Sequence, residues 1–72
     1  MPEPTVTTEE IAQHYRAAMD SVRLINEIVA SGDTDTESVA TKSRNQEHLE
    51  IMVAKDFWTT EDLAPFTAAI NA

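Results

Sequence analysis

A chain of 72 residues makes one small domain at most, and below roughly 80 residues a single core supplies only about 3–5 kcal/mol of net stability, so a partner is expected to share in burial. Thirteen acidic residues against five basic ones leave a net charge of −8, which repels nucleic-acid phosphates and anionic lipid and argues against direct binding to either. The absence of cysteine excludes a disulfide framework, a thiolate zinc site and a thiol nucleophile.

Met1-Pro2-Glu3-Pro4 has neither the basic start nor the apolar stretch of a signal peptide, and residues 1–6 are expected to be flexible. The rest is not of disordered type, because 42% of the chain is hydrophobic and those residues recur with helical periodicity. No apolar run approaches the roughly 18 residues needed to span a bilayer. The chain is therefore expected to remain soluble where it is made.

The first helix start is written in Val6-Thr7-Thr8-Glu9-Glu10-Ile11. Thr7 is placed to cap the amide of Glu10, Glu10 to reach back, and Val6 to staple against Ile11. From there Ile11, Tyr15, Ala18, Val22, Ile25 and Val29 fall at alternating intervals of four and three, on one stripe of a helix over residues 8–31. Met19, Leu24 and Ile28 widen that stripe over its last turns, while Gln13, Arg16, Asp20, Arg23 and Glu27 occupy the opposite side. Gly32 then suits the left-handed position just past a helix end.

Thr34-Asp35-Thr36-Glu37 starts a second helix, expected over residues 35–56. Before Ser38 the chain has eight acidic residues against two arginines, a balance of −6. The first half of this helix offers only Val39 and Ala40 before the polar run Thr41 to His48; its second half, Leu49 to Ala54, is densely apolar. A connection of only a few residues makes the two helices antiparallel neighbours. That pairing sets polar residues beside the very apolar end of the first helix. Leu24, Ile28 and Val29 are then left short of cover, to be supplied either by the C-terminal tail or by a second subunit.

The tail repeats the opening grammar in Trp58-Thr59-Thr60-Glu61-Asp62-Leu63, with Asp62 in place of Glu, and forms a short helical arm over residues 59–71. Pro65 lacks an amide proton, so this helix either starts near Asp62 or kinks at the proline. Phe57, Trp58 and Phe66 serve either as an intramolecular core or as anchors for a partner. The expected fold is thus all-α: one domain over 1–72, an antiparallel hairpin of two long helices with a short C-terminal arm. Leu24, Ile28, Phe57, Trp58 and Phe66 are its candidate partner-binding residues.

Chemistry is sparse. His14 and His48 each lie near a carboxylate, but Ile11 and Asn45, not Glu, precede them by three, so the Glu-x-x-His pattern of carboxylate-bridged metals is missing. Both read as surface histidines. Asp33-Thr34-Asp35-Thr36-Glu37 begins like a calcium loop, yet Ser38 stands where glycine is needed and Arg44 where a bidentate glutamate is needed. These acids read instead as stabilisers of the positive end of the second helix. One glycine in the whole chain rules out a phosphate-cradling loop or a nucleophile elbow, and no Ser/His/Asp arrangement is legible. Neither a catalytic residue nor a cofactor or metal site is expected.

The stretch from Arg44-Asn45-Gln46-Glu47-His48-Leu49-Glu50 through Ile51-Met52-Val53-Ala54-Lys55-Asp56-Phe57-Trp58 to Thr59-Thr60-Glu61-Asp62-Leu63-Ala64-Pro65-Phe66 resembles a segment of small helical proteins of tailed bacteriophages, of the marine and cyanobacterial type. Ile11-Ala12-Gln13-His14-Tyr15-Arg16-Ala17-Ala18-Met19-Asp20-Ser21 is similar to their usual beginning; the loop around Gly32 falls outside the resemblance. It implies a phage origin and a structural or regulatory role, and brings no activity to any residue. The expected function is a virion-associated protein of tail, baseplate or capsid that packs against phage structural proteins, with homo-oligomers compatible with that role. The alternative is an effector in the host cytoplasm that binds and inhibits a basic host protein.

Overall fold

The computed structural model describes residues 7–72. Among them every regular element is helical: α1 spans Thr8–Ser31, α2 Thr36–Val53 and α3 Thr60–Ile70, each packed against the other two. The expected Val6 staple and the flexible start over 1–6 lie outside the described residues.

Local hydrogen bonds account for most helix ends. Thr7 holds an extended backbone and its Oγ1 accepts from the Glu10 amide at 3.1 Å, filling one of the open donors of the first turn. At the other end of α1, Gly32 adopts φ 70°, and its amide donates to the carbonyls of Ile28 and Val29. That left-handed turn is where a side chain would be strained, so the single glycine sits where the chain must reverse. Asp35 caps α2 through its backbone alone.

α2 stops at Val53, three residues before the expected end at 56. Had it continued, the Asp56 amide would have bonded the Met52 carbonyl. Instead that carbonyl accepts from the Lys55 amide at 3.1 Å and from the Trp58 indole Nε1 at 2.7 Å. The indole replaces a helical bond with a tertiary one and turns the chain into the arm.

α3 begins with a complete capping box: Thr59 Oγ1 accepts from the Asp62 amide at 3.1 Å, and Asp62 Oδ2 accepts from the Thr59 amide at 3.3 Å. The helix accordingly starts at Thr60 rather than near Asp62, and runs through Pro65. Two reciprocal bonds at the start, with burial of Phe66 immediately after the proline, outweigh the one helical bond that Pro65 fails to donate to Glu61.

The core draws on all three helices. Ala18, Val22 and Ile25 of α1 meet Leu49 and Met52 of α2 and Phe66 and Ala69 of α3, with Met19, Val53, Trp58, Leu63 and Ile70 packed around them. Only the middle of the α1 stripe is sealed, for Ile11 is half-buried and Tyr15 and Val29 stay 39% and 49% exposed. The reason is length. The 11 residues of α3 span about 16 Å at 1.5 Å each, whereas the 24 of α1 span about 36 Å.

Candidate functional site

All four aromatic residues gather at one end, with a histidine beside them. Tyr15 on α1 faces the rings of Trp58 and Phe66 at 6.5 and 6.0 Å, and Trp58 meets Phe66 edge-on at 5.1 Å. Phe57 lies 4.6 Å from Trp58 and stacks on His14 at 5.8 Å. Offset and edge-to-face rings at such separations add to the gain from burial. Phe66 has no exposed surface at all, and the Trp58 indole proton is engaged by Met52. Of the aromatic residues expected as partner anchors, Phe66 therefore has nothing to present. Trp58 and Phe57 are half-buried against their own chain, because the apolar second half of α2 needs the arm for cover.

A polar pair lies at the centre of the bundle. Ser21 is 4% exposed and its Oγ is 2.8 Å from His48 Nδ1. This corrects the reading of His48 as a surface residue, and supplies the Ser/His contact that was not legible in the sequence. His14, likewise half-buried under Phe57, is not a surface histidine either. A signal for Ser21 was present: it follows Ala18 by three and adjoins Val22 on the core stripe, and a polar residue there requires a partner. The pair has the spacing of a nucleophile and base. Ser21 is one of the buried residues of α1 with Ala18, Val22 and Ile25, while His48 is half-buried. Among the described residues no buried side-chain polar atom lacks a hydrogen-bond partner, which makes this bond part of the core's polar accounting.

Gln46 was not singled out by the sequence. Its Nε2 lies 3.1, 3.2 and 3.3 Å from the carbonyls of Ala69, Ile70 and Ala72, and so caps the open carbonyls at the end of α3. Nothing local announces such a contact, since it joins segments more than 20 residues apart.

The opposite end is open. Ile28, Val29, Gly32, Val39, Lys42 and Ala72 border one groove; Leu24, Glu27, Ile28, Asp35, Glu37 and Thr41 border another across the α1–α2 contact. Leu24 and Ile28, the remaining candidate partner-binding residues, are half-buried, whereas Val39 is 53% exposed. Ile51, on the outer side of α2, is 67% exposed. Arg23 takes its place on the wet side of α1 between Asp20 at 3.9 Å and Glu27 at 3.0 Å, exposed pairs worth at most about 1 kcal/mol each.

Of the acids read against a calcium loop, Asp35 is the α2 cap residue and Glu37 lies in its first turn, where a negative charge meets the positive end of the helix. Among the described residues, no three His, Cys, Asp or Glu side chains converge on a metal-sized space, and no helix is long and apolar enough to cross a membrane. Comparison with family models, with curated proteins and with solved structures finds no match.

Proposed function

We propose that this chain is a packing protein that performs no chemistry of its own: an antiparallel hairpin of α1 and α2, strapped by α3, that docks against larger proteins of a phage tail, baseplate or capsid. The antiparallel order is supported by three pairings. His14 stacks on Phe57, Ser21 bonds His48, and Leu24 and Ile28 share a groove with Ser38 and Thr41; as the position in α1 rises, that of its neighbour falls.

The observation that carries the docking reading is the division of apolar surface. Phe66 is spent wholly on the chain's own core and Phe57 and Trp58 in part, while aliphatic residues remain open on the helices, Val29 and Val39 toward Gly32 and Ile51 on the outer side of α2. A partner or neighbouring copy would supply the burial that so small a chain lacks. The phage setting is supported by the resemblance of the Arg44–Phe66 string. Mass spectrometry of purified particles tests it: a constant copy number per particle is expected, and complete absence from particles overturns the virion role.

The alternative, an effector that inhibits a basic host protein, is favoured by the charge of −8, which would speed association with a basic surface at low salt. In that case the protein is found in infected cells and not in particles.

A further inference from the structure

The side of α2 turned away from the core is a stripe of mixed character. Ala40, Arg44, Glu47 and Ile51 follow one another at intervals of four, three and four, so they lie along one face of the helix. Leu49 and Met52 are turned the other way, into the core, while all four residues of the stripe are exposed. At 67%, Ile51 is the most exposed large hydrophobic among the described residues. A single open isoleucine needs no explanation by itself; what distinguishes this one is the company it keeps along the helix.

The charges on this face are of both signs. α2 carries Glu37, Glu47 and Glu50 against Lys42 and Arg44, three against two and so −1, in a chain whose total is −8. Among the described residues the ion pairs are those of Arg23. Arg44 donates only to Thr41 Oγ1, at 3.3 Å on the exposed surface, and its charge is left without an opposite partner, as is that of Glu47.

Laid antiparallel against a copy of itself, the stripe meets its own complement. With Arg44 opposite Glu47 of the second copy, Glu47 falls opposite Arg44 of that copy, because the two positions exchange under a two-fold axis. The same register sets Ile51 opposite Ala40 of the second copy, and Ala40 opposite its Ile51. Each branched side chain thus meets the smallest residue of the stripe, where two helices can approach closely. A parallel pairing would instead bring Arg44 against Arg44 and Glu47 against Glu47, which costs affinity.

We propose that the outer face of α2 is a two-fold interface between copies of this chain, with two Arg44–Glu47 ion pairs at its centre and an Ile51–Ala40 contact on either side. This goes beyond the packing reading above and does not require the virion role. One helix face against another buries less than the roughly 1,600 Å² of a standard interface. The isolated dimer is therefore weak, and gains where copies are held at high local concentration.

Sedimentation equilibrium of the full chain, from about 0.01 to 1 mM, tests this. The expected result is a reversible monomer–dimer equilibrium, with amide resonance shifts on dilution centred on Ala40, Arg44, Glu47 and Ile51. Ile51→Ser should weaken association roughly tenfold, since the aliphatic contact is lost twice. Arg44→Glu and Glu47→Arg should each weaken it roughly tenfold, because each sets like charges opposite one another at two places. Mixed in equal amounts, these two variants should form a dimer at least as tight as the parent, for the acids of one then face the cations of the other. All three substitutions fall at exposed positions, where effects on folding are small; circular dichroism verifies this.

A monomer throughout that concentration range overturns the proposal. So does parent-like association of Ile51→Ser, or a mixture of the two charge variants that associates no better than either alone. Dilution shifts centred on Val29 or Tyr15 overturn it as well, by assigning self-association to another surface. Presence in particles is measured separately, so each of these results removes the α2 interface and leaves the virion role to its own test.

Discussion

The two ends of the α1–α2 pair begin from the same apolar stripe and finish differently. At the aromatic end, Ala18 and Val22 of α1 face Leu49 and Met52 of α2, and the arm closes over them with Phe66. At the Gly32 end α1 brings Leu24, Ile28 and Val29, but the first half of α2 offers only Val39 and Ala40 before its polar run, and α3 stops short. The core lies in the middle and toward the aromatic end, where Tyr15 stays 39% exposed, whereas Val29 at the Gly32 end is left 49% exposed. Apolar periodicity in a helix identifies residues that gain from burial; whether they are buried depends on what the neighbouring segments bring.

That contrast is tested most severely at Phe66. Its replacement by alanine should cost about 3–5 kcal/mol through lost burial and the cavity left behind, as much as a domain of this size has in total. We expect Phe66→Ala to lose its cooperative thermal transition by circular dichroism, and a variant that melts like the parent would mean the arm is not the closure of the core. Next in size is the part-buried bond between Ser21 and His48. Ser21→Ala leaves His48 Nδ1 without its partner and should lower stability by about 1–2 kcal/mol in urea unfolding; a double-mutant cycle with His48→Ala should show coupling, and a value of zero would make the contact incidental.

The turn between the ends gives a smaller effect of purely backbone origin. No atom lies within 4 Å of where a Gly32 Cβ would sit, while its φ of 70° strains any L side chain. Gly32→Ala should therefore cost about 1 kcal/mol without any clash. Smallest is Val39→Ser at the open end, expected within about 0.5 kcal/mol of the parent. A loss comparable to that of a core substitution would show that something covers Val39 in solution, and would erase the difference between the two ends.

Much of the fold could be read in advance because it is made of short-range physics. Thr7, Gly32 and the Thr59–Asp62 box act through bonds to residues three or four positions away, and each marks a helix end in the sequence where the structure has one. The candidate site was less legible. Leu24 and Ile28 were identified because they lacked apolar counterparts in α2, an argument that needed only the two patterns and a short loop. Phe57, Trp58 and Phe66 were ambiguous because an aromatic residue at helical spacing serves a core and an interface equally well; the return of the arm buries Phe66 fully and leaves Phe57 and Trp58 half-buried.

By itself, the sequence determined that there are three helices, where they start, that a glycine turn separates the first two, and that acids cluster about that turn. Each of these follows from hydrogen bonds and periodicities that span a few residues. The tertiary structure alone decided that α2 yields its Met52 carbonyl to Trp58, that Ser21 and His48, 27 positions apart, share a bond, that Gln46 closes α3, and that the apolar stripe of α1 is sealed at its middle and open at its end. These outcomes depend on which surfaces meet and how far each helix reaches, and no window of a few residues contains that information.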